Sequence, residues 1–238
     1  MSPVVWITRT PDGAKSTARA IAALGGEAIL APVLKVVALK PLIDPHSFDA
    51  VILTSRNGLS AFTGLCTRRS ITAWCVGEAT AEGARAAKFQ RVISADGDVT
   101  ALRQLILDTA DRASRLFYAA PKEPAGDLGG DLRAAGFMVR EAAVYETRPI
   151  TPNLSAADMG RMTHVLVHSA KAGRGVATVI RAQPDRFALG RLIFVCLSQG
   201  AWAAVEHGLA DDKNVTAGQL IHRISPFPDE ASMLKLIA

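Results

Sequence analysis

Short apolar runs that end in polar or small residues recur along this 238-residue chain, and each leads into a segment of helical spacing. Val4–Ile7 runs into Thr8-Arg9, Ala50–Leu53 into Thr54-Ser55, and His164–Val167 into His168-Ser169. The pattern predicts further strands at Ala28–Leu30, Ala73–Val76, Val92–Ile93, Leu116–Ala119, Met138–Ala142, Ile193–Cys196 and Asn214–Val215, and a last helix over Glu230–Ile237. Leu102, Leu105, Ile106 and Thr109 show the helical stripe most clearly, at i, i+3, i+4 and i+7. Strands that alternate with helices pair in parallel, with helices on both faces.

The pattern is also duplicated. Phe48 to Gly58 lines up with Met162 to Ala172, and Trp74-Cys75-Val76 with Phe194-Val195-Cys196. A third match is out of order: the opening strand, its helix and Gly25-Gly26 resemble Phe117–Ala120, its helix and Gly136. The expected topology is therefore interleaved. Residues 1–35 with 150–238 form a split first domain, and 40–146 a continuous second one. Each is expected to hold five parallel strands in flavodoxin-like order. The segments at about 33–40 and 143–150, followed by prolines, read as linkers able to pair as a two-stranded ladder.

Composition narrows the function. Apolar residues make up 49% of the chain, enough for packed cores, and aromatics only 5%, which argues against a protein that stacks bases. The net charge of +5 is compatible with an anionic partner, but Lys and Arg are scattered, with no arm for nucleic acid. Cys66, Cys75 and Cys196 fit no disulfide framework or zinc spacing. With no signal-peptide pattern and no membrane span, the expected location is the cytoplasm.

Ligands in open α/β sheets sit beyond the carboxyl ends of the strands. Those ends carry Thr8-Arg9, Thr54-Ser55-Arg56-Asn57, Gly77-Glu78, Pro121-Lys122, His168-Ser169 and Leu197-Ser198. Several lead into helix N-termini, where backbone N–H groups receive carboxylates or phosphates. Ser55 and Ser169 read equally as helix caps. No dinucleotide, P-loop, nucleophile-elbow or metal pattern occurs. Tyr145, one of only two tyrosines, lies in the second linker. A phenol, with an ordinary pKa of about 10, is a proton donor at neutral pH, and packing is its other reading.

Together these segments resemble uroporphyrinogen-III synthase, over nearly the whole chain. The resemblance rests on Ile7-Thr8-Arg9 with Gly25-Gly26 and Ala31-Pro32, Phe48 to Asn57, Val76-Gly77-Glu78-Ala79-Thr80-Ala81, and Val144-Tyr145-Glu146-Thr147. It implies an enzyme of haem biosynthesis, a lyase that closes the linear tetrapyrrole hydroxymethylbilane with inversion of ring D and loss of water. It implies no cofactor and no metal. Tyr145 would assist the departing hydroxyl. Arg9, Thr54, Ser55, Arg56, Asn57, Gly77, Thr80 and Ser169 would line an interdomain cleft. The sequence departs from the family at His168, where Thr is usual, at Leu197-Ser198-Gln199-Gly200, and at Ala120-Pro121, where Lys122 would supply the cation. The expected protein is a monomer in transient contact with the preceding deaminase. The competing expectation is a two-domain small-anion binding or regulatory protein without turnover.

Overall fold

The computed structural model describes residues 2–210, 220–227 and 229–237. The strands are β1 (Val4–Ile7), β2 (Glu27–Leu30), β3 (Leu34–Ala38), β4 (Ala50–Leu53), β5 (Thr72–Cys75), β6 (Arg91–Ser94), β7 (Arg115–Pro121), β8 (Met138–Pro149), β9 (His164–Val167), β10 (Ile193–Cys196) and β11 (Ile221–Ile224). The α-helices are α1 (Pro11–Ala23), α2 (Arg56–Leu65), α3 (Glu78–Ala86), α4 (Val99–Thr109), α5 (Leu128–Ala134), α6 (Ala156–Arg161), α7 (Ala170–Ala182), α8 (Gln199–Ala210) and α9 (Glu230–Leu234). The chain divides into two units, 1–35 with 148–238, and 36–147.

The first sheet has the order β11-β10-β9-β1-β2. All its pairings are parallel. Numbered within its own unit, the order is 2-1-3-4-5, the flavodoxin arrangement, with its switch point between β1 and β9. The central strand β9 is buried along its whole length, as a strand covered on both faces must be. Successive side chains feed opposite cores: Val5 and Ile7 pack with Ile21, Leu166 and Met233, while Trp6 packs with Val165, Val176 and Phe194. The Trp6 indole N–H donates to the Ala31 carbonyl at 2.7 Å, so its one polar atom is satisfied inside the core.

The second sheet has the order β3-β8-β7-β4-β5-β6. Its five parallel strands are again 2-1-3-4-5, but only if counting starts at β7. The arrangement is thus a circular permutation, which accounts for the out-of-order repeat. Its switch point lies between β7 and β4. Val51 and Leu53 face the cluster around Phe48, Phe62 and Phe117, and Ala50 and Ile52 face the cluster around Leu102, Ile106 and Leu132.

Two details differ from the sequence reading, and a third falls outside the described residues. The second sheet has six strands, because β3 joins its edge beside β8. The Val33 carbonyl accepts from Ile150 and the Leu39 N–H donates to Val144, so one segment advances as the other recedes, an antiparallel ladder. The segments predicted as a strand at 138–142 and a separate linker strand at 143–148 are one strand of 12 residues, β8. A register shift at Ala120/Pro121 lets β8 stay paired with β7: Ala120 faces Ala143 and Pro121 faces Tyr145. The strand predicted at Asn214–Val215 lies outside the described residues, and the fifth strand of the first sheet is Ile221–Ile224.

Candidate active site

The second unit builds its site at its switch point. The chain leaves β4 at Thr54-Ser55 and turns at once into α2. Ser55 is extended (φ −166°, ψ 160°) and its Oγ accepts the Gly58 N–H at 3.0 Å, an N-cap. The same Oγ lies 2.9 Å from the hydroxyl of Tyr145, 90 residues away on β8. Gly58 lets α2 start close against β7, since a Cβ there would stand 3.2 Å from the Ala119 carbonyl. The β7–β8 register shift sets the height of Tyr145, whose carbonyl also accepts the Lys122 N–H at 2.8 Å.

Tyr145 and Thr54 line a cavity of about 500 Å³ together with Tyr118, Thr147, Arg103, Pro121, Glu123 and Asp127. Tyr118 is only 3% exposed, and its hydroxyl lies 3.4 Å from the Thr54 Oγ1. Burial raises its pKa above the ordinary phenol value, so it keeps its proton at neutral pH. The last two residues of the β4 turn thus each contact a phenol. Arg103 sits 3.3 Å from Asp131 at the cavity wall.

The other candidates of this unit take different positions. Arg56 is exposed and Asn57 half-buried in the first turn of α2. Gly77 is the N-cap of α3, and Thr80, 5% exposed, lies in that helix's first turn. Lys122, expected to be a cation for the substrate, has its Nζ 3.0 Å from the buried carboxylate of Glu146.

In the first unit, Ser169 repeats the Ser55 cap almost angle for angle (φ −162°, ψ 161°), accepting the Ala172 N–H at 3.2 Å. The exposed Ser198 accepts from Ala201 in the same way, at 3.2 Å. The residue before Ser169 is His168, whose Nε2 lies 3.8 Å from Glu230. Arg9, just past β1, pairs with the same carboxylate at 2.9 Å. Arg9 and His168 are thus brought together, as are Thr54, Ser55 and Tyr145 within their own unit. His164, by contrast, is a buried strand residue whose Nδ1 contacts the Thr163 hydroxyl at 2.8 Å.

Cys75 and Cys196 have their thiols pushed up to about 12, chiefly by burial, which keeps these two protonated at neutral pH. Among the described residues no group of three or more His, Cys, Asp and Glu is arranged to hold a metal ion. None of the described helices is long and apolar enough to cross a membrane.

Sequence reasoning missed Tyr118, Thr17 and Glu230. The scarcity of tyrosine was a usable signal for Tyr118: both tyrosines of the chain open into one cavity. Thr17 and Glu230 carried none.

Two flavodoxin-like units, one of them permuted, with hydroxyls, phenols and cations at the switch points, define a two-unit α/β protein with polar groups gathered at its strand ends. The chain belongs to the uroporphyrinogen-III synthase family: the model of that family, described as uroporphyrinogen-III synthase HemD, matches residues 15–220. No curated protein matches it. Among solved structures, uroporphyrinogen-III synthetase from Helicobacter pylori is similar with a TM-score of 0.61 and 16% identity, over 99% of this chain and 98% of that one. A mutant uroporphyrinogen III synthase from the extremely thermophilic bacterium Thermus thermophilus gives 0.48 and 14%, over 98% and 96%. At such identities the H. pylori likeness speaks for the fold.

Proposed function

We propose that this chain is a uroporphyrinogen-III synthase of haem biosynthesis, a lyase that cyclises hydroxymethylbilane with inversion of ring D and loss of water. Family membership supports the activity. The observation that carries the site is the Ser55–Tyr145 contact of 2.9 Å at the mouth of the second sheet.

That contact suggests how a proton is delivered. The Ser55 Oγ accepts the Gly58 N–H, and in the productive arrangement its own O–H donates to the Tyr145 oxygen. The Tyr145 O–H is then free to point into the cavity. It protonates the departing hydroxyl of the substrate, the carbon–oxygen bond breaks, and water leaves. Ser55 stabilises the phenolate until the proton released on ring closure restores it. Thr54 and Tyr118 supply further O–H groups to the bound chain, and backbone N–H groups at the capped helix starts receive carboxylates. Much of the rate then comes from holding the chain in the shape that closes with ring D inverted. We place the protein in the cytoplasm, as a monomer that takes its substrate from the preceding deaminase.

The test is an isomer assay. Freshly generated hydroxymethylbilane is supplied, the products are oxidised, and uroporphyrins I and III are separated. Type III formed only in the presence of this protein is the expected result. Type I alone, at the spontaneous rate, would replace the synthase reading with that of an anion-binding or regulatory protein.

A further inference from the structure

The carboxyl ends of β1 and β9 form the switch point of the first sheet, where three donors from three elements meet. Arg9 follows β1, Thr17 stands in the second turn of α1, and His168 follows β9. All three converge on the carboxylate of Glu230, the first residue of α9. Arg9 Nη1 is 2.9 Å from one oxygen. The Thr17 hydroxyl and His168 Nε2, the latter at 3.8 Å, approach the other oxygen. Arg9 Nη1 also donates to Thr17 Oγ1 at 3.3 Å. The Arg9 side chain crosses α1 where Gly13 leaves room, since a Cβ there would fall 2.2 Å from its Nε.

The cluster therefore already binds a carboxylate, one supplied by the chain itself. Glu230 does not use it fully. Both ring nitrogens of His168 are buried without a hydrogen-bond partner, because 3.8 Å is too long for such a bond. Glu230 is nonetheless held ionised, its pKa pushed down to about 2. The nearness of His168 Nε2, short of a formed hydrogen bond, contributes most, burial opposes it, and Thr17 and Arg9 add to it.

The attachment of α9 does not depend on this contact. Met233, Leu234 and Ile237 are buried against Val5, Ile7 and Leu166, and Asp229 caps the helix by accepting the Ser232 N–H. Side chains that are 28% and 33% exposed form an ion pair that adds little to stability. The Glu230 carboxylate can rotate into water while the helix stays seated.

We propose that Arg9, Thr17 and His168 form a subsite for one carboxylate arm of the substrate, and that Glu230 is its internal occupant, displaced by side-chain rotation when that arm binds. The identity of the arm rests on the synthase reading; the subsite itself requires only a carboxylate ligand. While Glu230 occupies the cluster, apparent affinity is reduced by the fraction of molecules in which it has swung away. Glu230 so sets how strongly this end of the protein holds an anion.

The experiment is a fluorescence titration of the full chain with uroporphyrin III, an octacarboxylate tetrapyrrole, for wild type, E230Q, R9Q and the double variant. We expect E230Q to tighten binding about five- to tenfold, as removal of an internal competitor does. R9Q weakens binding, and the gain from E230Q vanishes in the R9Q background. A mere staple between α9 and α1 predicts no tightening. A general effect of lost negative charge predicts the same gain with or without Arg9; either result overturns the subsite. E230D, which keeps the charge but shortens the reach, should show a smaller gain, and it serves if E230Q does not fold. Wild type that binds with this coupling yet forms no type III isomer would sink the synthase reading alone. Turnover without the coupling would sink the subsite alone.

Discussion

The ends of β4 and β9 are built on the same backbone and carry different chemistry. Ser55 and Ser169 cap their helices with dihedral angles that agree within a few degrees. Before Ser55 stands Thr54, beside Tyr118, and Ser55 itself touches Tyr145, so this end presents neutral O–H donors to a cavity. Before Ser169 stands His168, in a cluster with Arg9, Thr17 and Glu230, so this end presents charge. The frame repeats because caps and parallel pairing are fixed by local residue types. The two ends differ through long side chains that arrive from elsewhere in the sequence. Neutral donors suit proton transfer to a leaving hydroxyl, and a charged cluster suits holding an anion.

The strongest way to break this contrast is Y145F. Loss of a general acid costs about 100-fold or more in rate. Type III formation should fall by that much, while uroporphyrin III binding stays within about threefold, since one neutral hydrogen bond contributes about 1 kcal/mol or less. Unchanged turnover would remove the phenol from the chemistry.

The paired caps sharpen the comparison. S55A and S169A should each lose about 1 kcal/mol of stability through the cap, seen as a drop in Tm of about 2–4 °C for a chain of this size. Their kinetics should part: S55A also lowers kcat, about tenfold, because Tyr145 loses the group that aims it, whereas S169A acts through KM. Equal effects on kcat would erase the division of labour.

The smallest effect is on acid stability. Glu230 has its pKa lowered from 4.5 to about 2 in the folded chain, so its stabilising contribution is full above pH 4.5 and lost as pH falls toward 2. Thermal unfolding of wild type and E230Q should differ above pH 4.5 and converge toward pH 2. Parallel curves over that range would mean that Glu230 titrates alike in the folded and unfolded chain.

Much of the frame was legible because it is local. Apolar runs, caps and strand ends depend on neighbouring residues, so Thr54, Ser55 and Ser169 could be named from the sequence, while Tyr145 stood out by the scarcity of tyrosine and its place in the second linker. What escaped depends on distance or on register. Tyr118 sits amid an apolar strand and reads as core, which it also is; only the pairing of β7 with β4 brings its hydroxyl to Thr54. Glu230 lies 213 residues from Thr17, with no periodicity linking the two. Lys122 was read as a cation for the substrate, and its pairing with Glu146, set by the register shift in β8, had no local signal. The length of β8 was hidden by Pro149, its own last residue, and by Pro152, since an edge ladder tolerates proline at its end.

The nesting of one unit inside the other orders the protein's synthesis. Val4 bonds to Thr163, 159 residues later, and the whole of the second unit, 36–147, lies within that gap. As the ribosome delivers the chain, β1 and β2 must wait for β9, whereas the second unit has all its strands once β8 has emerged. A unit that folds first turns a long floppy loop into a short tether, which lowers the entropy cost of bringing β1 to β9. The inserted unit is thus an assembly aid for the one that surrounds it, and a mutation that slows its folding should delay both.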